Sequence, residues 1–492
     1  MNRRKKDQTM NIPKHCLKAL AGLSVLLLLL GGPLAAQKNP KDQFSFPPLN
    51  TIHMPKVEQF KLANGLTVFL VEDHEFPTVD LKAMIRTGSV FEPAAQAGLA
   101  GLVGTVLRTG GTATRSGDEI DKELETLAAA IETGIDQTSG TIAASALKED
   151  FSRVLEILAD MLTNPAFAQN KIDLARLEVE SFIQRRNDDI GGITSREYNK
   201  LIYGQGSPYA LQPEYATVGS ITRDDVVKFY RTYFYPNNTL LAVWGDFNSA
   251  ALKAVLNKTL GRWKPGSVAV PAWPAVHYED QFTVNYIDKP DVNQSNIMLG
   301  HIGGLMNNPD FPALTVMNYI LSFDRMFKKI RTDEGLAYSV WGDYDSRLDF
   351  PGMFSCGAQT KSPSTVYAIE LMLKEMKRMA AEEVTDPELA KAKDTYLNSF
   401  VFRFDSRAKI INRMLTYAYY GYPLDFTEKV KSDVEKVTKA DVLRVAKKYL
   451  KPDQVQILVV GKAADFDKPL STLGRVRTID ISIPPPPPAK TK

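Results

Sequence analysis

One block of sequence occurs twice, 216 residues apart, and this repeat constrains the fold more than any single motif does. The first copy runs from Ile221-Thr222-Arg223-Asp224-Asp225 through Tyr233-Phe234-Tyr235-Pro236 and continues into a strand-like Thr239 to Gly245. The second runs from Thr438-Lys439-Ala440-Asp441 through Tyr449-Leu450-Lys451-Pro452 and continues into Gln456 to Gly461. Thr222/Thr438, Asp225/Asp441, Tyr233/Tyr449, Pro236/Pro452 and Gly245/Gly461 share the one offset. A single spacing held over matched positions implies two homologous halves. In each copy the Thr is placed to cap a helix, with Asp at the third helical position, and the Pro stops it. The 492 residues suffice for a core in each half. The Pro-bearing stretch from Pro265 to Tyr278 then reads as the connection. The expected division is a first domain at 37–264, a linker at 265–279, a second domain at 280–468 and a Pro-rich tail at 469–492.

Residues 1–36 read as an export signal. Arg3, Arg4, Lys5, Lys6, Lys14 and Lys18 precede an apolar run from Ala19 to Leu30, broken by Gly31-Gly32-Pro33 and followed by Ala35-Ala36. The run is short for a membrane span, and an uncleaved anchor is the alternative. The net +5 of this segment exceeds the +3 of the whole chain and leaves the remainder at −2. A near-neutral protein gives no reason to expect nucleic acid or an anionic membrane as partner. Of two Cys, Cys16 belongs to the signal, so Cys356 is left without an internal disulfide partner. A periplasmic or secreted location is expected.

Within the first half, Phe60 to Val71 reads as a hairpin around Asn64-Gly65, and Val79 to Ile85 as a further strand. Val154, Leu155, Leu158 and Leu162 have helical spacing and read as core. Gly98, Gly101 and Gly104 recur every third residue in the helical stretch from Ala97 to Leu107. Each Gly costs a helix about 1 kcal/mol against Ala, and a face without side chains suits close backbone packing. The glycines are not a phosphate loop, because no Lys-Ser/Thr follows them.

In the second half, Gln294 to Gly300 is strand-like and Phe311 to Leu321 helical. Then comes Arg331-Thr332-Asp333-Glu334-Gly335-Leu336-Ala337-Tyr338-Ser339-Val340. Lys328, Lys329 and Arg331 suit the last turn of a helix, Gly335 its C-terminal cap, and Tyr338 to Trp341 a strand. Arg331 and Tyr338 are thus held on either side of a tight turn, where two donors can reach one oxyanion. The plain alternative is an Arg on a solvated helix face and a Tyr in a strand. The tail, with five Pro from Pro484, reads as extended polyproline II.

The Arg331-x-x-x-Gly335-Leu336-Ala337-Tyr338-Ser339 stretch resembles the second-half signature of the pitrilysin/insulinase family of zinc peptidases. Asn64-Gly65-Leu66-Thr67-Val68, Arg86-Thr87-Gly88-Ser89 and the block from Thr222 to Asp246 resemble the family's first domain. The resemblance implies an α+β fold of two halves, each an antiparallel-rich sheet backed by helices, enclosing a chamber. In that family a helix opening Gly-Leu-Ala carries the inverted zinc motif H-x-x-E-H. Two His bind the metal from one helix face and the Glu activates water. Here Gly98-Leu99-Ala100 match, but the ligand, base and ligand positions are Gly101, Gly104 and Thr105. The family's third ligand would fall near Ser181 or Phe182 in a helix expected from Lys171 to Asp189. Glu178 and Glu180 lie out of register there and read as solvated. His53, His74, His277 and His301 are scattered, so no metal site is expected in this chain. The Gly-rich turn usual in second halves is also missing from Leu321 to Phe327.

Two functions follow from the resemblance. The first is a non-catalytic, substrate-binding subunit of a heterodimeric zinc metallopeptidase. Arg331 and Tyr338 would then act in trans on peptides at zinc held by a homologous H-x-x-E-H partner. The second is an inert scaffold or peptide-binding protein of the cell envelope. An autonomous peptidase has no visible ligand cluster to support it.

Overall fold

The computed structural model describes residues 55–486, so the expected export signal, His53 and the last residues of the tail lie outside the described part. The first half contains strands β1 (Glu58–Lys61), β2 (Thr67–Glu72) and β3 (Thr78–Ile85), then helices α1 (Leu99–Thr109) and α2 (Gly117–Thr126). Strands β4 (Ala130–Ile135) and β5 (Gly140–Leu147) follow, then α3 (Phe151–Thr163), α4 (Gln169–Arg185), α5 (Ile190–Tyr203), α6 (Tyr215–Ser220) and α7 (Arg223–Tyr233). Strand β6 (Thr239–Gly245) and α8 (Ser249–Thr259) close it. The helix expected through Asp189 ends at Arg185. Asp189 instead caps α5, its carboxylate accepting from the Gly192 amide.

The second half contains β7 (Thr283–Asp288), β8 (Gln294–Ile302) and the short β9 (Gly304–Leu305), then α9 (Phe311–Tyr319) running into a π-helix at Ile320–Asp333. Next come β10 (Ala337–Tyr344), β11 (Ser346–Arg347, paired with β9) and β12 (Met353–Lys361). Helices α10 (Thr365–Ala381), α11 (Asp386–Phe400), α12 (Arg407–Tyr420), α13 (Phe426–Lys436) and α14 (Lys439–Tyr449) precede β13 (Gln456–Gly461) and β14 (Val476–Thr478).

The repeat is structural throughout. Strand β2 and β7, at Thr67–Glu72 and Thr283–Asp288, lie 216 residues apart, as do the starts of β3 and β8. Both helices that follow the repeated Thr carry reciprocal caps. The Thr222 hydroxyl accepts from the Asp225 amide while the Asp225 carboxylate accepts from the Thr222 amide, and Thr438 and Asp441 do the same. The first sheet has the order β1-β2-β6-β3-β5-β4 and the second, in matching sense, β14-β7-β13-β8-β12-β10. Both are mixed, six-stranded and mostly antiparallel. They differ at one edge. Where β1 pairs antiparallel with β2, β14 from the chain's end pairs parallel with β7. The stretch expected as a Pro-rich tail from residue 469 thus supplies an edge strand of the second sheet. Ile479 and Ile481 pack against the second half's core and Ile483 against the first half's, and the Asn187 side-chain amide donates to the Ile481 carbonyl.

The halves exchange one helix each. Strand β2 is apolar on both faces, because successive side chains point opposite ways. Val68 and Leu70 join the core under α1, α3 and α7, while Phe69 and Val71 face the other side. That side is covered by α12 of the second half, through Ile411, Met414, Leu415 and Tyr419. Reciprocally, Ile193, Tyr198 and Ile202 of α5 cover Ile287 of β7 and Leu458 and Val460 of β13. Helices α5 and α12 are equivalents under the repeat. Each half is thus completed by its neighbour, and neither sheet is fully covered without the other.

Candidate functional site

The α1 helix opens where the Glu92 carboxylate accepts from the Gly98 and Ala100 amides, at 2.9 and 2.8 Å. Gly98 stands before the helix, at φ +105°, so the three glycines do not share one helical face as their spacing suggests. The remaining two behave oppositely. A Cβ on Gly104 would come 2.7 Å from the Ile135 amide nitrogen and 2.9 Å from Gly134, so α1 presses its backbone against β4. The Thr133 hydroxyl donates to the Gly104 carbonyl at 2.6 Å across that contact. Gly101 has no atom within 4 Å of a Cβ, and it and Thr105 are exposed. The close backbone packing expected of these glycines is present at Gly104 and absent at Gly101.

These residues do not fit a zinc ion. They offer neither imidazole nor carboxylate, and the position where a catalytic Glu would stand is closed by backbone. Nearby, Glu178 is exposed and Ser181 and Glu180 are partly buried. Among the described residues no group of His, Cys, Asp and Glu is arranged to hold a metal. His301 is buried, with Nδ1 2.7 Å from the Ile302 carbonyl and Nε2 accepting from the Lys451 amide, so it serves the core. His74 sits between Asp246 and Glu72 at the surface, and Cys356 is a buried thiol on β12.

The second half brings Arg331 and Tyr338 together by two local irregularities. The first is the π-helix, a conformation rare beyond a single turn and frequent at functional sites. Its register is visible in its bonds. The Glu334 amide donates to Lys329, five residues back, at 3.1 Å. Lys328 pairs with Asp333 at 2.9 Å and Lys329 with Glu334 at 2.7 Å, again five apart. In an α-helix such pairs meet at three or four. Gly335 then turns the chain at φ +63°. The second irregularity is in β10. Ala337 pairs with Thr360 and Ser339 with Gln359, so Tyr338 is an extra, unpaired residue. A bulge of this kind re-aims a side chain, and Tyr338 is 78% exposed.

The Arg331 guanidinium lies 5.0 Å from the Phe327 ring centre and 5.5 Å from that of Tyr338. Two cation–π contacts hold it in place, and the residue is exposed, so its N–H groups can donate to a ligand. Tyr319, Phe323 and Phe327 precede it at four-residue steps, and Phe323 is 57% exposed. The sequence indicated the pair but not the bulge or the π register. The acidic residues five after each Lys were the available signal.

Residues 67–194 match the family described as Insulinase (Peptidase family M16), and residues 220–396 match Peptidase M16 inactive domain. The chain belongs to the M16 insulinase family. It is an inactive-type M16 homologue. Among its relatives, Uncharacterized zinc protease YmxG of Bacillus subtilis is 22% identical, over 73% of this chain and 87% of that protein. Non-peptidase homolog YmxG of Helicobacter pylori is 23% identical, over 80% of this chain and 91% of that protein. The crystal structure of a peptidase M16 inactive domain from Pseudomonas fluorescens has a TM-score of 0.74 and 22% identity. It covers 84% of this chain and 99% of that one. The M16 architecture of two α+β halves is thus the one seen here. No helix among the described residues is long and apolar enough to cross a membrane.

Proposed function

We propose that this M16 homologue is the non-catalytic, substrate-binding subunit of a heterodimeric zinc metallopeptidase that degrades peptides outside the cytoplasm. The observation that carries this reading is the exposed Arg331–Tyr338 pair in a chain whose own metal-helix positions are Gly101, Gly104 and Thr105. An inert scaffold has no use for an aimed, solvent-facing guanidinium and phenol. In the complex, the chamber would form around peptide substrate. The Arg331 N–H groups and the Tyr338 hydroxyl would donate to the substrate carbonyl oxygen as it gains negative charge. Zinc and the water-activating Glu would belong to a homologous partner with H-x-x-E-H. The export signal in residues 1–36 supports a periplasmic or secreted site of action, with no lasting membrane insertion.

The test is affinity purification of the tagged chain from its native envelope fraction, followed by mass spectrometry and peptide hydrolysis assays. The expected result is a stoichiometric H-x-x-E-H homologue and hydrolysis by the pair but by neither chain alone. Recovery as a homodimer, or with an unrelated envelope assembly, overturns the reading in favour of a scaffold or peptide-binding protein.

A further inference from the structure

We propose that the groove between the C-terminal ends of α3, α7 and α8, on the outer helical layer of the first half, binds an acidic peptide segment. The groove is a cavity of about 680 Å³ and carries Arg231, Lys258, Arg262 and Lys264 on its walls. None of these four cations pairs with a carboxylate among the described residues. The two acids of the groove are already engaged. Glu156 pairs with Arg153 at 3.0 Å, and Asp160 accepts from Thr114 at 2.7 Å and Asn164 at 2.9 Å.

Cations gather at helix C-termini for an ordinary reason, the unsatisfied carbonyls of the last turn. Here neutral donors meet part of that need, at and just before the helix ends. The Thr163 hydroxyl donates to Ala159 and the Tyr230 hydroxyl to Leu162. The Tyr235 hydroxyl donates to Arg231, the Asn238 amide to Tyr233, and the Thr259 hydroxyl to Val255. The Asn64 amide reaches both Leu260 and Trp263, at 2.8 and 2.9 Å. The four positive charges therefore share the helix ends with neutral donors and have no carboxylate partner among the described residues.

The arrangement selects among anions. The cations come from α7, from α8 and from the turn after α8, so they are distributed rather than focused on one compact group. The aromatic floor of Tyr230, Phe234 and Trp263 is buried beneath the groove, which leaves little ring surface for stacking a nucleobase. Asn164 stands exposed on the wall, and its side-chain oxygen can accept from a peptide backbone amide. Spaced carboxylates on an extended chain match this layout.

The experiment uses the purified mature chain and a fluorescein-labelled oligoglutamate peptide, read by anisotropy across a salt series. The expected result is saturable binding that weakens with salt, since charges more than about 10 Å apart are screened at 0.1 M. The double variant Lys258→Glu/Arg262→Glu should lower affinity about tenfold or more, while Lys429→Glu/Lys431→Glu, on α13, leaves it unchanged. Equal losses in both variants, or no saturation, overturn the proposal. So does binding of inorganic polyphosphate or anionic phospholipid vesicles to the groove where the peptide does not bind. Peptide hydrolysis with a partner is not needed for this readout, so its outcome is independent of the subunit assignment.

Discussion

The Arg331 guanidinium stands 5.5 Å from the Tyr338 ring centre and 5.0 Å from that of Phe327. The stacking gives the two residues separable tasks. Tyr338→Phe keeps the ring against Arg331 and removes only the hydroxyl donor. Arg331→Ala removes the guanidinium and leaves the phenol unsupported. If both donate to a developing oxyanion in a two-chain peptidase, each variant should lower turnover by about 10²–10³-fold with little change in KM. Arg331→Lys should fare little better than Ala, because an ammonium lacks the planar fork. Both residues are exposed, so chain stability should move by less than about 0.5 kcal/mol. Unchanged turnover in Arg331→Ala and Tyr338→Phe would remove the assigned roles.

Gly101 and Gly104 make an internal control on one helix. At Gly101 a methyl group meets nothing within 4 Å, so Gly101→Ala should gain about 1 kcal/mol from helix propensity. At Gly104 the same methyl meets β4 backbone at 2.7 Å. Backbone cannot rotate away, and overpacking of this kind costs about 1–3 kcal/mol. Urea unfolding of the two variants should give shifts of opposite sign. A stabilised Gly104→Ala would mean that α1 and β4 are less tightly seated than the structure places them.

What the sequence revealed and what it hid follow from the range of the interactions involved. The Thr222/Asp225 and Thr438/Asp441 caps, the stop at each Pro and the strands after them are local, and they stood in the sequence as they stand in the fold. The exchange of α5 and α12 was not legible. Ile193 and Leu415 look like core residues of whichever half contains them, and only tertiary contact shows that each serves the other sheet. Tyr338 reads as an alternating strand residue, yet the register shift opposite Gln359 makes it a bulge. The tail's Ile479, Ile481 and Ile483 alternate with polar residues as a docked strand would, a pattern that the neighbouring proline run obscured.

The exchanged helices make the halves a single cooperative unit. Leu415 is fully buried beside Phe69, Val71, Met84 and Ala242 of the first sheet, although it belongs to the second half. Leu415→Ala should cost about 2–5 kcal/mol. The loss should appear in the unfolding of both halves together, as one denaturation transition moved to lower urea. A variant that unfolds in two steps, with the first half unaffected, would show that α12 is not part of the first half's core.

His301 supplies a pH dependence with a definite sign. Burial against Phe354 lowers its pKa from 6.5 to about 4, and its two nitrogens are committed to the Ile302 carbonyl and the Lys451 amide in the neutral form. In the unfolded chain the same ring takes a proton as pH falls below 6.5. Between 6.5 and 4 the unfolded state therefore binds more protons than the folded state. Stability is full above that window and declines through it as pH drops. The one residue accounts for about 2 kcal/mol of stability lost between pH 7 and pH 5. His301→Gln cannot titrate there, so its overall stability will be lower at pH 7 but its decline toward pH 5 should be about 2 kcal/mol shallower. Denaturant unfolding of both proteins at the two pH values measures that difference directly. Parallel pH profiles would mean that the imidazole is protonated in the folded state and that the buried neutral form assigned to it is wrong.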